Sequence, residues 1–85
     1  MRYRILGRSG LRVSELCLGT MTFGEDWGWG ASREESARMF ERFASAGGNF
    51  IDTANNYTNG ASEKLVGEVI AEDRDRFVLA TKFTI

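Results

Sequence analysis

Phe77-Val78-Leu79-Ala80-Thr81-Lys82 is apolar almost from end to end and closes on a cation. A short run without polar alternation fits a strand covered on both faces, the kind that parallel sheets contain. Working back toward the N-terminus, two more short strand-like runs occur, Phe50-Ile51-Asp52-Thr53 and Leu16-Cys17-Leu18-Gly19. Their distinctive end residues, Gly19, Asp52 and Lys82, are each about thirty residues apart, the length of one βαβ unit. Consecutive strands joined in this way run parallel through right-handed crossovers.

Each interval holds one helix. Ser32-Arg33-Glu34-Glu35 has the form of a capping box, with Ser32 as N-cap and Glu35 reaching back. Ala37, Phe40, Phe43, Ala44 and Gly47 then recur at helical spacing, with Arg33, Glu34, Arg38, Glu41 and Arg42 on the other faces. Gly47-Gly48 supplies a left-handed stop. Asn55 to Gly60 reads as a polar loop around Tyr57. Ser62-Glu63 opens a second helix with Leu65, Val66, Val69 and Ile70 on its buried stripe, and the charged run Glu72-Asp73-Arg74-Asp75-Arg76 ends it.

Ahead of the first parallel strand, Tyr3-Arg4-Ile5-Leu6 and Leu11-Arg12-Val13-Ser14 flank Gly7-Arg8-Ser9-Gly10, the pattern of a β-hairpin. Residues 1–85 thus read as one α/β domain, an N-terminal β-hairpin followed by βαβαβ. Such an order begins either a doubly wound sheet or a barrel, and a hairpin ahead of the first strand fits the plugged bottom of a barrel better. A Rossmann fingerprint is missing, because Gly19 and Gly24 are followed by loop and not by helix.

Composition excludes several functions. The chain is 42% hydrophobic, 27% charged and 12% aromatic, as ordinary globular domains are. Eleven basic and twelve acidic residues leave a net charge of -1, so neither nucleic acid nor an anionic membrane finds a basic patch to bind. With a single cysteine, Cys17, and no histidine, the chain offers no internal disulfide, no zinc site and no Ser-His or Cys-His nucleophile. Cys17 itself reads as a small buried hydrophobe within its strand. Met1-Arg2-Tyr3-Arg4 leads into a strand-like run and not into a signal-peptide stretch, which suggests a cytoplasmic protein.

In parallel α/β architectures, chemistry sits where the strands' C-terminal ends meet the βα-loops. Gly19-Thr20, Asp52 with Tyr57 just downstream, and Lys82 all fall there. Phe50 and Asp52 share one face of their strand, as do Val78, Ala80 and Lys82, so an Asp52–Lys82 ion pair can form if the two strands pair in register. Tyr57 can bring its phenol to the same point, and a nearby ammonium favours phenolate, easing proton release. Each residue alone has a simpler reading: a turn-forming Asp, a solvated strand-end Lys, a packing Tyr. Their coincidence carries the signal. In the glycine-rich loop between Thr20 and Gly30, Trp27 and Trp29 either line a substrate pocket or pack the loop down.

Several segments resemble a known family. Gly19-Thr20-Met21-Thr22-Phe23-Gly24 resembles a G-T-x-x-x-G segment of the aldo-keto reductases. Gly48-Asn49-Phe50-Ile51-Asp52-Thr53-Ala54, then Tyr57, then Glu63-Lys64-Leu65-Val66-Gly67 is similar to that family's first signature, and Ala80-Thr81-Lys82 to its lysine-bearing third strand. The resemblance implies a (β/α)8, TIM-type barrel that uses NADPH to reduce aldehydes or ketones. It makes Tyr57 the general acid, Lys82 the cation that lowers its pKa and Asp52 the carboxylate partner. It makes Gly19, Thr20, Met21 and Asp52 the lining of the nicotinamide and its ribose. The loop between Tyr57 and Glu63 departs from the tightest form of the signature.

The family's catalytic histidine, on the next strand, and its phosphate- and adenine-binding loops do not occur within the 85 residues. A barrel of this type runs to about 250 residues, so the chain reads as the first quarter or third of one. A small carbonyl substrate is expected in the full-length context. The alternative is a non-catalytic, truncated or oligomer-forming fragment, inactive by itself, whose open sheet edges invite self-association. A flavodoxin-like binding module fits less well, since no helix starts at Gly19 to anchor phosphate.

Overall fold

A computed structural model describes residues 1–25 and 28–83. Strands β1 (Tyr3–Ile5) and β2 (Arg12–Ser14) form an antiparallel hairpin with Arg4 opposite Val13. Strands β3 (Cys17–Gly19), β4 (Phe50–Asp52) and β5 (Val78–Ala80) form a parallel sheet in that order. Helix α1 (Arg33–Ser45) connects β3 to β4, and α2 (Ala61–Ile70) connects β4 to β5. The expected hairpin and βαβαβ are therefore present, as the first part of a (β/α)8 barrel requires.

The sheet register sorts side chains onto two faces. Leu18, Ile51 and Leu79 lie level with one another and pack toward the helices. There they join Phe23, Phe40, Ala44, Leu65, Val66, Ile70 and Phe77 in one apolar core. Ile51 is fully buried, and the rings of Phe40 and Phe77 stand 5.0 Å apart, tilted by 54°, a favourable aromatic geometry.

The next residues along each strand point the other way. Cys17, Phe50 and Val78 form one row and Gly19, Asp52 and Ala80 the next. Among the described residues no helix lies on this face. Two sequence expectations are corrected by it. Cys17 is exposed rather than buried, because strand alternation gives the helix side to Leu18. The 77–81 segment is covered on one face only, with Val78, Leu79 and Ala80 all partly buried.

Helix α1 begins with the expected capping box. The Glu35 amide donates to Ser32 Oγ at 3.1 Å, and the Ser32 amide donates to the Glu35 carboxylate at 2.9 Å. It ends in a Schellman motif. Gly47 takes φ +94 and donates to the Ala44 carbonyl, while Gly48 donates to that of Phe43. Phe43 and Ala37 are only partly buried, and Ser36, Phe40 and Ala44 form the buried stripe.

The hairpin is tied to the start of β4. The Ser14 amide donates to Asn49 Oδ1 at 2.7 Å, the Asn49 amide donates to Ser14 Oγ at 3.1 Å, and Asn49 Nδ2 donates to the Arg12 carbonyl at 2.8 Å. It thereby covers the end of the sheet where the strands begin and leaves their C-terminal ends open. None of the described helices is long and apolar enough to cross a membrane.

Candidate active site

At the open end of the sheet, β4 and β5 stay paired beyond their formal limits. The Thr53 amide donates to the Ala80 carbonyl and the Asn55 amide to that of Lys82, both at 2.8 Å. This continuation sets Lys82 beside the start of the β4 loop. Asp52 is level with Ala80, and Lys82, two residues on, projects from the same face. Lys82 Nζ lies 2.9 Å from Asp52 Oδ1 and 3.0 Å from Oδ2, donating to both. Both side chains remain nearly half exposed.

Tyr57 reaches this pair from the following turn, with Lys82 Nζ 4.9 Å from its ring centroid. The Lys82 ammonium is held above its ordinary pKa, first by its polar contact with the Tyr57 side chain and then by the Asp52 carboxylate. The carboxylate, phenol and ammonium singled out in the sequence thus converge on one rim.

The turn that carries Tyr57 differs from the expected loop. Tyr57–Gly60 is a 3-10 turn leading directly into α2, which starts at Ala61, one residue before Ser62. Beneath it lies a cluster of buried hydroxyls, those of Thr20, Thr53, Thr58 and Ser62. Thr20 Oγ1 donates to the Asp52 carbonyl at 2.9 Å. Ser62 Oγ lies 2.6 Å from the Thr20 carbonyl, 2.9 Å from Thr20 Oγ1 and 3.1 Å from Thr53 Oγ1. Buried hydroxyls are costly unless paired, so these bonds lock the loops after β3 and β4 to the N-terminus of α2. A second brace is Thr81 Oγ1, which donates to the Glu63 carboxylate at 2.5 Å beside Lys82.

The remaining candidates are placed as follows. Gly19 sits on the open face level with Asp52, and a side-chain carbon there would meet nothing within 4 Å. That leaves free ground beside the Asp52–Lys82 pair for a flat ring, and Asp52 keeps spare lone pairs for a sugar hydroxyl. The residues present therefore fit the nicotinamide end of a dinucleotide. Thr20 is buried and its hydroxyl is committed to Asp52, so contact with a ligand falls to its backbone. Met21 is half exposed, as is Trp29. Trp27 lies outside the described residues. Cys17, on the same face, has its thiol pushed up by partial burial and then by the Asp52 carboxylate, with Lys82 opposing. Sequence reasoning gives no site role to Thr53 at a strand end, Thr58 in the polar loop or Ser62 at a helix start, and the only signal each carries is its hydroxyl.

Comparison with known proteins agrees with the fold. The sequence profile of the Aldo/keto reductase family matches residues 15–85. The chain is 50% identical over 82 residues to the norsolorinic acid reductase stcV of Emericella nidulans, covering 91% of this chain and 21% of that protein. In an alignment 90 positions long it is 42% identical to an aryl-alcohol dehydrogenase of Pestalotiopsis microspora, covering 99% of this chain and 23% of the relative. Among solved structures, an aldo-keto reductase from Bacillus halodurans in its holo form superposes with a TM-score of 0.83 at 34% identity. That match covers 95% of this chain and 25% of the other. The chain spans between 21% and 42% of the length of the curated relatives it matches.

Proposed function

Because this chain belongs to the aldo/keto reductase family, we propose that it supplies the catalytic rim of an NADPH-dependent oxidoreductase that reduces aldehydes or ketones. When bound, NADPH supplies the hydride. Gly19, Thr20 and Met21 line the nicotinamide end, and Asp52 accepts from the adjoining ribose. Tyr57 Oη donates a proton to the carbonyl oxygen as that oxygen gains negative charge, completing the alcohol. The Lys82 ammonium stabilises the charge left on the phenol oxygen, because an opposite charge within a few ångströms favours the ionised form. Asp52 orients Lys82 and keeps it charged.

The observation carrying this reading is the placement of Lys82 Nζ against both Asp52 oxygens, at 2.9 and 3.0 Å, and 4.9 Å from the Tyr57 ring. Trp27 and Trp29 supply aromatic contact area for the substrate, and the name of the Pestalotiopsis relative favours an aryl carbonyl.

The test is Tyr57→Phe in the complete protein that carries this segment, with carbonyl reduction and cofactor binding measured separately. A general acid contributes about 10²–10⁴-fold, so reduction falls by that order while NADPH affinity, followed by fluorescence titration, is kept. Retained turnover with lost cofactor affinity would overturn the role of Tyr57.

A further inference from the structure

Thr58 stands directly after Tyr57 at φ +48, ψ +41, and Asn59 follows at φ +58, ψ +34. Left-handed backbone is rare for any residue but glycine and is an outlier for a β-branched side chain. Glycine would make this turn at no steric cost. A strained residue persists where its surroundings over-determine it, and such positions cluster at functional sites.

The surroundings here are specific. Thr58 is fully buried. Its Oγ1 accepts from the Ser62 amide at 3.0 Å, and its single proton reaches the carbonyl of Phe23 or of Tyr57, both at 2.7 Å. One hydroxyl therefore touches the first turn of α2, the backbone of Tyr57 and the loop after β3. That loop is closed on itself by hydrogen bonds from Gly24 to the Ala31 carbonyl and from Ala31 to the Thr22 carbonyl. It also packs against Thr58 closely. A side-chain carbon at Gly24 would stand 3.0 Å from Thr58 Oγ1 and 2.9 Å from Ala61 Cβ. The same loop carries Trp29.

Resting on the reductase reading above, the geometry points to Thr58 as a positioning residue for catalysis: its buried hydroxyl fixes the Tyr57 turn and locks it to the Trp-bearing loop. Thr58 touches neither substrate nor cofactor. It acts by holding the phenol of Tyr57 where the Asp52–Lys82 pair meets it.

The test uses Thr58→Gly, Thr58→Ser and Thr58→Val in the complete protein, with kcat and NADPH affinity measured for each. A misplacement of about 1 Å costs up to about 100-fold in rate. Thr58→Gly relieves the backbone strain but has no hydroxyl, so kcat is expected to fall at least about tenfold while NADPH affinity holds; the melting temperature falls too, because the Ser62 amide and the Phe23 carbonyl lose a buried partner. Thr58→Val should lose kcat likewise, and Thr58→Ser, which keeps the oxygen, should recover most of it. Thr58→Gly with wild-type kcat would overturn the proposal, since a purely structural role shows in the melting temperature and leaves kcat unchanged. An inactive Tyr57→Phe beside a fully active Thr58→Gly overturns this proposal alone, whereas an active Tyr57→Phe overturns the reductase reading beneath it.

Discussion

Removing the Ser62 hydroxyl should cost more than its own bonds are worth, because it orphans a neighbour. Ser62 Oγ meets the Thr20 carbonyl at 2.6 Å and Thr53 Oγ1 at 3.1 Å. In Ser62→Ala the Thr20 carbonyl still accepts from the Phe23 amide at 3.0 Å. Thr53 is 1% exposed, and its hydroxyl bonds only to Ser62 among the described side chains. A buried hydroxyl left unpaired costs about 1–3 kcal/mol, and a lost net hydrogen bond about 1 kcal/mol. Ser62→Ala should therefore destabilise by about 2–4 kcal/mol. Thr53→Val alone leaves Ser62 bonded to Thr20 and should cost about 1 kcal/mol. The double variant has no orphan, so its loss should fall short of the two single losses added together by about 1–3 kcal/mol. Urea denaturation of the four proteins measures that coupling. Additivity within about 0.5 kcal/mol would refute the pairing of these hydroxyls.

Three other perturbations probe separate parts of the structure. Cys17 is exposed, yet its thiol is held above the ordinary range by partial burial and by Asp52, so it should alkylate more slowly than a free cysteine near neutral pH, where thiolate is the nucleophile; Asp52→Asn should speed the reaction, and an unchanged rate would contradict the electrostatic link. Ser32→Ala should cost about 1 kcal/mol by breaking the cap of α1, read as a lower melting temperature. The Glu35 carboxyl is held below its ordinary value by the Ser32 backbone and then its hydroxyl, so its stabilising effect is present above the ordinary carboxylate pKa and is lost as pH falls through the lowered folded value; a wild-type advantage over Glu35→Ala that does not shrink in acid would refute this. The 85-residue chain on its own leaves one sheet face bare, with Phe83 91% exposed and two open strand edges, and should associate with concentration in sedimentation; a cooperatively melting monomer would count against that.

Much of this arrangement was legible in the residues. Three apolar runs ending on Gly19, Asp52 and Lys82 are enough to place parallel strands, because short apolar stretches separated by single helices have few other uses. The alternation rule then put Asp52 and Lys82 on one face, where they pair. The same rule, applied to Leu16-Cys17-Leu18-Gly19, sends Cys17 to the open face once Leu18 takes the core side, but the apolar character of both residues does not say which one takes it. Thr58 escaped for a different reason. Its left-handed backbone comes from tertiary bonds to Phe23 and Ser62, 35 residues before it and 4 after it, and no local pattern records those. The Ala71–Arg76 stretch, read as a charged end to α2, continues as a 3-10 segment interrupted at Asp73 (φ -141), since nothing in its composition marks where the last turn tightens.

Chemical rescue at position 82 asks most directly whether an ammonium beside Asp52 and Tyr57 drives carbonyl reduction. In the complete protein, with Cys17→Ser as background, Lys82→Cys should lose about 100-fold or more in kcat. Alkylation with bromoethylamine, which rebuilds a lysine-length ammonium, should restore most of that loss. Full activity in unmodified Lys82→Cys, or complete modification without recovery, would contradict the assignment.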